Sequence, residues 1–135
     1  MPAGETDLKT LISQMEPALM EGEYVFCIAG AEMVIHPTSL IGMFREQEGL
    51  TLILHKHLAD QEGLAYYAIM KWISLRVHSS LEAVGLTAAI SSALAAANIS
   101  CNIVAGYFHD HMFVPKGDEE RAMSVLRDLA EGRKE

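Results

Sequence analysis

Between Ala65 and Ala130 the hydrophobic period switches from two to 3.6 and back. This switching constrains the fold more than any other feature of the chain. In a β-type run over 65–77, Ile73, Leu75 and Val77 share one face, and Trp72, Ser74, Arg76 and His78 share the other. Ser79-Ser80 followed by Glu82 opens a helix: the hydroxyls accept from its first N–H groups, and the acid suits its positive end. That helix runs to about Ala97 in small residues that let it approach a sheet closely. Ile99 to Phe108 reads as a strand, His109-Asp110 as a tight turn, and His111 to Pro115 as the return strand, stopped by its proline. Gly117-Asp118 starts a last helix whose Ala122, Val125, Leu126, Leu129 and Ala130 form an apolar stripe. The order is β-α-β-β-α.

The first half follows a related order. Leu8, Leu11, Ile12, Met15 and Leu19 recur at helical spacing, with Thr6 or Asp7 as cap and Pro17 ending or bending the helix. Tyr24 to Ala29 reads as a buried strand and Glu32 to His36 as a second one. Leu40 to Arg45 reads as a short helix, and Leu50 to His55 as a strand. Each half is then most of a βαββαβ unit. The fold class expected is α+β, a two-layer ferredoxin-like sandwich with an antiparallel sheet, as two related halves in tandem. The polar stretch 56–64 supplies the boundary, giving halves 1–63 and 64–135. The first half lacks its opening strand and the second its closing one. Pairing of Leu50–His55 with the 65–77 strand would fill the second gap.

At 135 residues, half of them hydrophobic, the chain buries enough surface to fold without a disulfide or a metal. Ten basic against 18 acidic residues give a net charge of -8, which argues against nucleic acid and against an anionic membrane surface as partners. The most apolar stretch, 84–99, is too short and too rich in Ser, Thr and Asn to span a bilayer. Cys27 and Cys101 sit in apolar, strand-like runs and read as buried free thiols. The N-terminus, polar and acidic, has no secretory pattern, so a cytoplasmic location is expected.

The segment Trp72 to Pro115, WISLRVHSSLEAVGLTAAISSALAAANISCNIVAGYFHDHMFVP, resembles an ACT domain, as in the small bacterial proteins built of two such domains. SSLEAVGLTA and the HDHMFVP hairpin carry the likeness together. EGLTLIL, Glu48 to Leu54, and the order of elements extend it to the first half. The resemblance implies a regulatory protein that senses a small molecule, usually an amino acid, without chemistry and without a cofactor. It implies modules paired side by side, here as a homodimer, with ligand at the seam beside the loop between first strand and first helix. The residues it points to are Ser79, Ser80, Val84, Gly85, Leu86 and Asn102. A helix N-terminus there suits a carboxylate, Gly85 permits close approach, and Asn102, taken to lie on the neighbouring strand, carries donors and acceptors. Where many family members have an acidic residue or Asn with Pro-Gly, this chain has Ala83-Val84-Gly85.

Two other readings stay open. One is a module that only dimerises, its pocket closed. An open sheet face bearing Trp72, Ser74 and Arg76, with Asn102, Val104 and Phe108 on another strand, suits association. The other is a metal-dependent enzyme using the pairs His55/His57 and His109/His111, since residues two apart on a strand share a face. Spacing beyond the pairs is absent, and His109-Asp110-His111 reads first as a hairpin turn, so no metal is assigned. Ser79 and Ser80 lack the elbow of a nucleophile. Glu46 and Glu48 read as a solvated turn, and no phosphate-binding glycine loop exists.

Overall fold

The computed structural model describes residues 7–34, 36–77 and 84–132. Contacts divide the chain into two compact units. One is Glu21–Met70; the other joins the segment up to Met20 with the segment from Lys71 onward.

The discontinuous unit opens with α1 (Leu8–Gln14), whose N-cap Asp7 accepts from the Thr10 N–H at 3.1 Å. The helix stops three residues before Pro17, because a proline lacks the donor and forces the residue before it towards extended geometry. Met15 is already extended, and the chain continues as strand β1 (Glu16–Leu19). The helical spacing through Leu19 is thus overridden. β1 pairs antiparallel with β5 (Met70–Arg76), with Pro17 opposite Leu75 and Leu19 opposite Ile73. This corrects the expected partner of the 65–77 run. Leu50–His55 pairs elsewhere, and β1, from the N-terminal segment, takes the place beside β5.

After β5 come α3 (Leu86–Ala96), the hairpin of β6 (Asn102–Ala105) and β7 (Asp110–Pro115), and α4 (Glu119–Ala130). β7 lies between β5 and β6. Asn98, at φ 59°, closes α3 in the left-handed conformation that asparagine tolerates. Arg121 of α4 donates to the Ala97 carbonyl at 2.9 Å, tying α4 to that helix end, and to Asp118 at 3.1 Å. The core joins both flanking segments: Leu11 and Met15 pack with Ile73, Leu75, Leu86, Ile90, Leu94, Met112, Val114 and Leu126. Most of these are wholly removed from water, each contributing about 1.5–3 kcal/mol.

The Glu21–Met70 unit holds β2 (Tyr24–Ile28), a 3₁₀ turn at Pro37–Ser39, β3 (Gly42–Arg45), β4 (Leu50–His55) and α2 (Lys56–Gln61). β4 is central, antiparallel to both β2 and β3. Val25, Cys27, Leu52, Leu54 and Ala59 form its core. Two expectations are corrected here. The described residues of 32–36 form turn and irregular chain rather than strand. The segment 40–45 holds strand β3 from Gly42 to Arg45 rather than a helix, because β-forming Phe44 and its neighbours find β4 as a partner. The polar stretch 56–64, read as a boundary, is occupied mostly by α2, with His55 at its N-cap.

Candidate functional site

The turn that leads into α3 was the sequence-based site. Gly85 stands there with φ 98°, in the left-handed region where a side chain is strained. It is the N-cap of α3, and as a glycine it brings no capping side chain of its own. Val84 is 83% exposed and Leu86 is buried. Ser79 and Ser80 lie outside the described residues. Asn102 is exposed, at the first position of β6 opposite Phe113. It is not on the strand next to β5, because the β6–β7 hairpin turns back so that β7 pairs inside and β6 stands beyond it. Val84, Gly85 and Leu86 therefore come together, and Asn102 is two strands from β5. A Cβ built on Gly85 would lie 3.2 Å from Leu8 Cδ2, so α1 delivers a leucine to the turn.

The open-face reading is modified in the same unit. Trp72 stacks on Phe113 with ring centroids 6.2 Å apart and lies 5.6 Å from the His111 ring. The Trp72 indole N–H donates to His111 Nδ1 at 3.1 Å. Phe113 and Ser74 are buried, while Val104 and Phe108 are exposed. Only part of this face is open to water.

The histidine pairs do not assemble a metal centre: among the described residues no three His, Cys, Asp or Glu side chains converge. His111 Nδ1 is engaged by the indole. A Cβ on Gly106 would meet His111 Nε2 at 3.0 Å, so that nitrogen packs against backbone. His55 and His57 border a small cleft with Asp60, but Asp60 accepts from Tyr66 at 2.6 Å and from Lys56 at 2.9 Å. Tyr66 foremost, and Lys56 after it, holds the Asp60 carboxyl below its usual range. Both cysteines are free, Cys27 buried and Cys101 half-buried, and burial raises both thiols.

One site was missed by sequence reasoning. In the Glu21–Met70 unit, a cleft of about 490 Å³ is walled by Phe26, Cys27 and Ile28 of β2, Thr51 of β4, Glu46 and the segment Ala65–Tyr67. The apolar alternation of YVFCI on both strand faces was the available signal: Val25 and Cys27 enter the core, leaving Phe26 and Ile28 for another task.

Comparison with known proteins also gives two parts, but consecutive ones, so that residues 3–20 fall with 21–70 rather than with the segment after Lys71. A family model described as ACT domain matches residues 3–71, and a second ACT-domain model matches residues 68–128. The chain belongs to the ACT domain family. ACT domains are regulatory modules, and the two matches cover nearly all of this chain. A Vibrio cholerae protein of unknown function, described as a possible transport protein, is 45% identical over 91% of this chain and 95% of its own, with a TM-score of 0.81. An Agrobacterium tumefaciens protein shares the ACT fold at 15% identity, over 86% of this chain and 89% of its own, TM-score 0.67. So does the ligand-free regulatory subunit of aspartate kinase from Thermus thermophilus, at 10% identity, over 87% and 97%, TM-score 0.62. No curated protein matches the chain. No helix among the described residues is long and apolar enough to cross a membrane.

Proposed function

We propose that this ACT protein is a cytoplasmic regulatory sensor that binds an amino acid at the turn into α3, as a homodimer, and performs no catalysis itself. The supporting observation is the start of α3. An exposed Val84 and a left-handed Gly85, which has no side chain to cap with, lead into an eleven-residue helix. The first N–H groups of a helix and its dipole suit a carboxylate. Ser79, Ser80 and Leu86 would border the ligand. Asn102, on the outer strand, would meet it from a paired copy rather than from its own turn. Ligand would act by population shift, favouring one arrangement of paired modules by its differential affinity.

Thermal unfolding against the twenty amino acids tests this. One of them, at a hundred times its dissociation constant, is expected to stabilise by about 2.7 kcal/mol. Asn102→Ala is expected to abolish the shift. No shift with any amino acid would overturn the reading.

The contact of Leu8 with Gly85 favours a second reading, a dimerisation module whose pocket is plugged by α1. That reading expects an amino acid response to emerge in Leu8→Ala and to be absent from the native protein.

A further inference from the structure

The cleft in the Glu21–Met70 unit is built by strand register. Phe26 pairs with Ile53, and Ile53 with Gly42; Ile28 pairs with Thr51, and Thr51 with Phe44. These two rows lie on the sheet face opposite Val25, Cys27, Leu52 and Leu54, which are spent in the core. Ile28 is 57% exposed and Phe44 70%, so the rows end in apolar surface facing water. Gly42, on the edge strand β3, adds no side chain beside Ile53.

The third row is Glu46 opposite Gly49. Their backbones bond reciprocally, at 2.9 Å and 3.3 Å, so the hairpin end is rigid. The Thr51 hydroxyl donates to the Glu46 carboxylate, fixing one of its oxygens over the face. The opposite wall is Tyr66 and Tyr67. Tyr66 is held by its hydroxyl on Asp60, which Lys56 braces in turn. Glu46 is the one charged side chain among the residues that wall the cleft.

From this juxtaposition we infer that the cleft binds a small organic cation, an amine carried on a flat apolar body, with the ammonium on Glu46 and the body between Phe26 and the two tyrosines. The volume falls within the range of small-molecule sites. A carboxylate already oriented by a neighbour forms a charge-assisted bond at little ordering cost. Aromatic walls attract both a flat body and a cation. An anionic ligand would meet Glu46 and a chain of net charge -8. The site lies in the unit that does not contain Gly85, and it stands without the sensor reading above.

Three probes of one shape test it on the full-length protein: phenethylamine, 2-phenylethanol and 3-phenylpropanoate, titrated while amide shifts of Thr51 and Ala65 are followed. Phenethylamine is expected to bind about tenfold more tightly than the alcohol, which is the factor one good charged bond supplies. The propanoate is expected to bind more weakly than the alcohol. Glu46→Gln should reduce phenethylamine to the affinity of the alcohol and leave the alcohol unchanged, and Tyr67→Ala should weaken both. Glu46 and Tyr67 are exposed, so both variants are expected to fold. Equal affinity for the three probes, an unchanged phenethylamine affinity in Glu46→Gln, or no shift with any probe would each overturn the inference. A loss of amino acid response in Asn102→Ala, with phenethylamine binding intact, would separate this site from the turn into α3.

Discussion

The indole N–H of Trp72 donates to His111 Nδ1, and this bond fixes the imidazole as the tautomer with its proton on Nε2. Trp72 is the single tryptophan, so its emission reports on that bond. Burial foremost, with the charge of His109 adding to it, lowers the affinity of His111 for a second proton; Asp110 opposes both. A histidine depressed in the folded state gives stability that is present above the unfolded value, about 6.5, and lost as pH falls from there through the folded value. Trp72 emission is therefore expected to hold steady above pH 6.5 and to change below it, before unfolding. His111→Phe should remove that titration. Emission that stays flat in the native protein down to the onset of unfolding would contradict the assignment.

Asp110, 8% exposed at the start of β7, has the opposite sign. Desolvation raises its carboxyl above the usual range, with His111 and His109 pulling it back. A raised carboxyl is least costly below its unfolded value and destabilises as pH rises through the folded one. Asp110→Asn is expected to stabilise by on the order of 1 kcal/mol at pH 7, about 3–4 °C in Tm, with the difference fading near pH 3. Paired melting curves at the two pH values decide it.

The Gly85–Leu8 contact predicts a split in a double-mutant cycle. Gly85→Ala brings both left-handed strain and a Cβ at 3.2 Å from Leu8, and should cost about 2 kcal/mol. In a Leu8→Ala background the steric part disappears and the backbone part, about 1 kcal/mol, remains. Strict additivity in denaturant titrations would mean that Leu8 does not press on the turn.

Leu11 comes from the N-terminal segment but is fully buried in the core made by β5, α3, β7 and α4. Leu11→Ala is expected to cost about 3 kcal/mol. Hydrogen exchange should then quicken in β5 and β7 well before β4, whose core holds no residue outside 21–70. Equal quickening in β4 would contradict the division into units.

The order from β5 to α4 was legible because each element carries its own period and its own stop: Ile73-Leu75-Val77 for a strand, Pro115 for its return, the stripe of Ala122 to Ala130 for a helix. β1 was not legible, because Glu16-Pro17 speaks against a strand and only the edge of β5 makes it one. Tyr66 and Tyr67 have β-forming side chains, yet with Ala65 they wall a cleft ahead of Met70. In the candidate site, the glycine of the turn was found by type, since left-handed backbone selects it. The place of Asn102 is a matter of which strand pairs inside, and that depends on a hairpin no local pattern specifies. The aromatic cleft depended on register, which fixes that Phe26, Thr51 and Glu46 share a face.

The union of α1 and β1 with the segment after Lys71 also sets a schedule for the ribosome. β1 must wait for its partner β5 through the synthesis of roughly fifty further residues, several seconds at ordinary rates of translation. During that interval the Glu21–Met70 unit has its own core available and the leading segment does not. A chaperone that holds α1 and β1 before β5 is made therefore acts on the discontinuous unit.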